Sequence, residues 1–279
     1  MPPTFDDFTM FHPSIIEEGK TLVLNLQHGK ANEMGSACLR SWEAVTDFIK
    51  QGTVQSVITT SQRMSNGGKP IFISGADVTE RTGWDDAKIK EHVRWQRHVL
   101  QQLRQVPVFH VALVHGIAFG WGTEFLLCCD YRISTDSAIF ALPETGLGIL
   151  PGAGGTSELW MEIGVAHALR LGMTGEKISA KEALRIGLVQ ENTEKYETAW
   201  ERALALCRLA NSKSHSAIAA FKSALLQSRG QNNIARSSLE SQAYEHCVSS
   251  GDAAIGRANF AKIVAGEPVP WNPYTPFAS

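Results

Sequence analysis

Over its first two thirds the chain alternates short, β-branched apolar runs with stretches of helical spacing, which restricts it to a sheet flanked by helices. Residues 21–26 and 54–60 read as strands, and between them Leu39, Trp42, Val45 and Ile49 recur at helical spacing over 35–50. Residues 61–70, with Asn66-Gly67-Gly68, read as a loop, and 71–73 as a strand end. An amphipathic helix is predicted over 87–105, stopped by Pro107, then an apolar strand over 108–114. Residues 116–129 are expected to turn into a buried helix, followed by short strands at 133–134 and 138–140. Helices are expected at 157–164, 165–172 and 179–186, the last with Ser179 and Glu182 as a capping box. From residue 191 the pattern is almost all helical, over 196–211, 214–228, 234–249 and 252–265. The predicted class is α/β with a parallel-rich sheet. Residues 1–195 form the expected core domain, and 196–279 a helical region that caps the sheet or packs on a neighbouring subunit.

Composition narrows the partners. Of 279 residues, 43% are hydrophobic and 19% charged, as in ordinary globular proteins. A net charge of −2 gives no general attraction for nucleic acid or an anionic membrane, so neither is expected as a partner. Residues 1–11 lack a basic stretch followed by an apolar run, so no signal peptide is read, and a cytoplasmic location is expected. The most apolar stretch, 111–129, carries His115 and Glu124 and makes a poor membrane span. Five cysteines show no CxxC and no ligand spacing with histidine; Cys128 and Cys129 read as small core residues, and no metal is expected.

The chemistry gathers at two acids. Glu124 and Glu144 each lie in an otherwise apolar, glycine-rich stretch, where a carboxylate is costly to bury without a role. Two acids in one cleft can hold different protonation states and divide acid and base duty. Two turns supply candidate main-chain donors. Phe72-Ile73-Ser74-Gly75-Ala76-Asp77 is a strand running into a glycine turn, which leaves the N–H of Ala76 free to face a cleft. Gly120-Trp121-Gly122 opens a helix, where first-turn N–H groups have no intrahelical partner, so Trp121 offers a second donor. Glu124 follows one turn later on the same face. His115 reads as hydrogen-bonded structure, and Trp95 as core.

These motifs resemble the crotonase superfamily, the enoyl-CoA hydratase/isomerase family, over most of the chain. The likeness runs through Ser74-Gly75-Ala76-Asp77, the helix start ending in Glu124, Cys129-Asp130, Pro143-Glu144 and Leu147-Gly148. It continues through Pro151-Gly152-Ala153-Gly154-Gly155-Thr156, Leu171-Gly172-Met173-Thr174-Gly175, Ile178-Ser179-Ala180-Lys181-Glu182-Ala183 and Gly187-Leu188-Val189. The resemblance implies a spiral of ββα units with a C-terminal helical trimerisation region, as a homotrimer or a dimer of trimers. It implies thioester substrates of coenzyme A, which enters with the substrate, and no other cofactor or metal. Ala76 and Trp121 match the two residues whose backbone N–H groups hold the thioester oxygen, and Glu124 and Glu144 match the two catalytic glutamates of hydratases. Lys30 and Ala31 fall in a segment similar to the one lining the adenine pocket, and Ser74, Gly75, Asp77 and Gly120 flank the substrate. Water addition to a 2,3-unsaturated acyl-CoA is the expected reaction; isomerisation, decarboxylation, hydrolysis and silent thioester binding stay open. The pattern departs at Trp121, where the family has glycine: its indole is expected either to narrow the acyl pocket or to turn toward a neighbouring helix or subunit. The loop 62–69 is longer than the family's turn, with Arg63 and Lys69 either meeting CoA phosphates or simply solvated. Trp84 and Trp95 fall where family members line the acyl tail.

Overall fold

The computed structural model describes residues 2–277, so Met1 of the expected core domain and the last two residues of the helical region lie outside it. A hairpin of β1 (Pro13–Ile16) and β2 (Thr21–Asn25) leads into α1 (Ser36–Lys50). Then come β3 (Ser56–Thr60), β4 (Arg63–Met64), β5 (Pro70–Ile73) and α2 (Asp86–Arg104). A second unit is β6 (Phe109–Val114), β7 (Ile117–Phe119) and α3 (Trp121–Leu126). A third is β8 (Tyr131–Thr135), β9 (Ile139–Ala141), α4 (Leu159–Ile163) and α5 (Val165–Thr174). The strands close with β10 (Ile178–Ser179), α6 (Ala180–Ile186) and β11 (Glu191–Thr193). The rest is α7 (Tyr196–Asn211), α8 (His215–Gln227), α9 (Asn233–Ser249), α10 (Asp252–Ala258) and α11 (Phe260–Val264).

Each unit splits its strands between two sheets. β3, β6 and β8 join a six-stranded sheet ordered β1-β2-β3-β6-β8-β11; β5, β7 and β9 join a five-stranded sheet ordered β10-β9-β7-β5-β4. All neighbours are parallel except β1 on β2, β4 on β5 and β10 on β9. The step from β6 to β7 is made at Gly116, at φ 88°, where a Cβ would collide with the carbonyl of Pro70.

The six-stranded sheet is apolar on both faces, as a largely parallel sheet between helices requires. Leu22, Leu24, Val57, Ala112 and Val114 face the main core with α1, α2 and α3. Their alternates Val23, Ile58, Val111, Leu113 and Ile133 are covered by Ala199, Ala203, Leu204 and Cys207 of α7. Each large side chain so buried contributes roughly 1.5–3 kcal/mol. The first helix of the C-terminal region, α7, therefore covers one face of the sheet. Lys222 of α8 reinforces the join, its Nζ 2.7 Å from Asp130 Oδ2 and 3.0 Å from the Val108 carbonyl.

Several local expectations are corrected. Residues 117–119 are a strand, not the start of a helix, because they pair with β5 and β9; only Trp121–Leu126 is helical. The loop 61–70 contains β4. The helix expected over 252–265 breaks at Asn259 (φ −110°, ψ 18°). Ser179 does cap the Glu182 N–H at 3.3 Å, but the Glu182 carboxylate turns to Arg170 and Arg185 rather than closing a capping box.

One buried side chain ties the entry to the site together. Asn32, at φ 54°, donates through Nδ2 to the Leu26 carbonyl (3.1 Å), Ser61 Oγ (2.9 Å) and the Phe72 carbonyl (2.8 Å). Its Oδ1 accepts the N–H of His28 at 2.9 Å. Asn32→Ala removes these bonds from the buried carbonyls of Leu26 and Phe72, while Ser61 Oγ keeps its bonds to Ile71 and Arg63. It is expected to cost about 2–4 kcal/mol, read as a lower urea midpoint at unchanged m-value.

Candidate active site

Three neighbouring parallel strands end side by side, and each end delivers one part of the site. Ile73 pairs with Ala118, Ala118 with Phe140, and Phe119 with Ala141. Beyond β5 comes Ser74-Gly75-Ala76, beyond β7 comes Gly120-Trp121, and beyond β9 comes Pro143-Glu144. The carboxyl ends of parallel strands are where α/β proteins open their clefts. Here a cavity of about 240 Å³ is lined by Ser74, Gly75, Ala76, Gly120, Trp121, Glu124 and Glu144 among others. Val93 of α2 and the exposed Val78, Leu147, Ile149 and Leu150 give it apolar walls.

Both main-chain donors are free. Ala76 forms a parallel bridge with Met34, closed by Met34 N–H on the Gly75 carbonyl (2.9 Å) and Asp77 N–H on the Met34 carbonyl (3.0 Å). In that pattern the neighbours make the bonds and the N–H of Ala76 faces the other way. Gly75, at φ 134°, makes the turn. Trp121 is the first residue of α3, set up by Gly120 at φ 51° and ψ −119°. No acceptor among the described residues takes the N–H of Ala76 or of Trp121. Gly122 lets α3 lie directly on β5, since a Cβ there would collide with the Ile73 carbonyl oxygen.

The indole of Trp121 is 2% exposed and stacks on Phe125 at 5.8 Å, within the aromatic cluster of Trp42 and Phe72. The residue still lines the cavity, and its Nε1 is buried without an acceptor. The indole packs on Phe125 of its own helix rather than on a neighbouring helix, and the residue remains part of the cavity lining.

The acids differ in surroundings. Glu124 is 3% exposed, and its Oε1 accepts the N–H groups of Ala153 and Gly155, both at 2.8 Å. Burial pushes its pKa up to about 7; the two amides pull down, and the charge of Glu144 adds to the rise. Glu144 is half-buried, with Oε2 lacking any partner among the described residues, and burial raises its pKa too. Its Oε1 lies over Gly120, where a Cβ would sit 2.6 Å away.

The other expected residues stand apart from the cavity wall. The Asp77 carboxylate caps the next turn, accepting from Thr79 N (2.9 Å), Thr79 Oγ1 (2.6 Å) and Glu80 N (3.2 Å). Lys30 is exposed, and Ala31 is joined to the site strand through its carbonyl, which accepts Ser74 N–H at 3.2 Å. Arg63 folds back on the carbonyls of Gly29 and Lys30. Trp95 donates to Glu43 at 2.7 Å and Trp84 packs beside His92 and Lys88, so neither lines the cavity. His115 bonds Thr135 and Ser137, as structure. Among the described residues no group of three or more His, Cys, Asp or Glu comes together as a metal site.

Sequence reasoning missed the groups that complete the wall. The amides of Ala153 and Gly155 fall in a glycine-rich run whose partner only folding reveals. Arg81 and Gln96 also line the cavity; their only signal is polarity at positions where α2 and its approach turn inward.

The sequence pattern of the enoyl-CoA hydratase/isomerase family matches residues 23–264. The chain is 34% identical over 231 residues to a protein of Arabidopsis thaliana described as a probable mitochondrial enoyl-CoA hydratase 2, covering 83% of this chain and 75% of that one. It is 32% identical over 238 residues to the short-chain-enoyl-CoA hydratase of Clostridium acetobutylicum, covering 85% and 89%. The crystal structure of enoyl-CoA hydratase from Bacillus anthracis superposes with a TM-score of 0.83 at 30% identity, over 93% of this chain and 98% of that one. Fold, strand-end cavity and match agree: the chain belongs to the enoyl-CoA hydratase/isomerase family and has the crotonase fold. That membership makes it an enzyme of the crotonase type acting on an acyl-CoA.

The Glu124 environment makes a stability prediction. Its folded pKa lies above the unfolded value near 4.5, so the folded state holds the proton more tightly. The favourable contribution is complete below about pH 4.5 and is lost as pH rises to about 7. Compared with Glu124→Gln, the parent is expected to lose about 3 kcal/mol between pH 4.5 and 8, measured as a widening Tm gap.

Proposed function

We infer that the protein adds water across the 2,3 double bond of an acyl-CoA thioester. One observation carries this reading: two unpartnered amides and two carboxyls of raised pKa share one cavity at three adjacent strand ends. The thioester oxygen accepts from the N–H of Ala76 and of Trp121, which stabilise the negative charge that develops there. Donors of this kind are worth about 3–4 kcal/mol each in the transition state. Glu124, its Oε1 held by two amides, takes a proton from water as the water oxygen bonds C3. The π electrons move to C2 and the carbonyl oxygen becomes enolate-like. Glu144 then delivers its proton to C2 as the carbonyl re-forms. The product is a 3-hydroxyacyl thioester, and transfer of one proton between the acids restores the start. Because the carboxyls are coupled, the titration belongs to the pair.

Trp121 is the ground for reading a silent thioester binder. Its packing on Phe125 supports activity, since the ring is held by its own helix while the Trp121 N–H keeps no acceptor among the described residues. Lys30, Ala31, Ser74, Gly75, Asp77 and Gly120 are proposed to flank the CoA and thioester. The exposed apolar Tyr244, Val248, Phe260 and Val264 of α9 to α11 support an interface between copies, as expected of a trimer.

With crotonyl-CoA, followed by loss of the enoyl absorbance, Glu144→Gln and Glu124→Gln are each expected to lower kcat by about 10²–10⁴. Undiminished hydration by Glu124→Gln would refute the two-acid mechanism. In the parent, kcat/KM is expected to rise with pH through an apparent value near 7, as the base loses its proton, and the Glu124→Gln profile lacks that limb.

A further inference from the structure

The cavity holds polar groups that this reaction does not use. Gln96, on the core side of α2, is 3% exposed, and its Oε1 accepts Arg81 Nη2 at 3.2 Å. A guanidinium only donates, so this contact fixes which end of the amide faces it. The Nε2 end is left buried with no acceptor among the described residues, and Arg81 Nε is buried and unpartnered among them as well. Both residues line the cavity together with Glu124 and Glu144.

The cation has no direct ion pair among the described residues, and the charges of Glu80 and Asp77 reach it only from a distance. No carboxylate among the described residues lies within 4.0 Å of the Arg81 guanidinium. Glu80, its neighbour, is committed to Ser36 and His92, and Asp77 to its turn. A half-buried guanidinium and a buried amide in contact with each other, each with a donor left over, are costly to leave unpaired and together can serve the two oxygens of one carboxylate. An apolar acyl tail would leave them unpaired in the bound state.

We propose that the acyl chain this cavity receives ends in a carboxylate, held by Arg81 and Gln96. The inference rests on reading the cavity as an acyl-thioester site. Arg81 and Gln96 act in recognition, while the thioester end lies with Ala76, Trp121 and the two glutamates.

Calorimetric binding of saturated, unreactive thioesters tests this apart from turnover. Three matched pairs serve: succinyl- and butyryl-CoA, glutaryl- and valeryl-CoA, adipyl- and hexanoyl-CoA. In at least one pair the parent is expected to bind the carboxylated member ten- to a hundredfold more tightly. In Arg81→Met that ratio is expected to fall to within about threefold of one, and Gln96→Leu to reduce it in part. Equal affinities in all three pairs, no binding of any carboxylated member, or a preference that Arg81→Met retains would overturn the proposal. A preference without hydration of any enoyl thioester would sink the reaction and leave this inference standing.

Discussion

A carboxylate is kept from water near the middle of this molecule, and much of the backbone around it serves to hold it there. Glu124 leans on the amides of Ala153 and Gly155. Those amides reach it only because the turn after Pro151 is tight: a Cβ on Gly155 would come within 2.5 Å of Pro151 Cβ and 3.1 Å of Glu124 Oε1. Arg97 of α2 fixes the same turn from outside, donating to the Gly152 carbonyl at 2.8 Å. An acid held this way stays accessible to protonation near neutrality while its position is set by main chain. Ionising it costs stability, as a burial-raised pKa requires.

The two-sheet topology explains how distant residues meet. Ala76, Trp121 and Glu144 are far apart in sequence, yet each follows the last strand of its unit, and those strands are parallel neighbours in the five-stranded sheet. Repetition of the unit places equivalent strand ends in a row. The other sheet, apolar on both faces, anchors the row between the main core and α7.

The class of fold was legible because it depends on period. β-Branched runs such as 54–60 and helical spacing such as Leu39, Trp42, Val45 and Ile49 are local signals, and α1, α2 and α7 appear within a residue or so of where they were expected. What failed depends on partners. Residues 117–119 look helical in isolation and become a strand only because β5 and β9 lie alongside. The acids and the glycine turns were legible as chemistry set in apolar sequence, and the cavity gathers Glu124, Glu144, Ala76 and Trp121. The cap that Asp77 makes was not legible as such, since a short acid after a turn caps the next turn as readily as it faces a ligand. Gln96 and Arg81 escaped notice because nothing in a lone polar residue tells which way it will face.

Gly122 has a consequence for how such a protein can diverge. Main chain of α3 rests on main chain of β5 at Ile73, so the spacing between the two strand ends does not depend on any side chain at position 121. The indole of Trp121 hangs from a fixed point and packs elsewhere. Descendants of such a scaffold are therefore free to exchange the furnishings of the chamber, whether a ring at 121 or a cation at 81, while the reacting end keeps its dimensions. On the reading proposed above, selectivity and chemistry sit on separate parts of the framework, and each can drift without dragging the other.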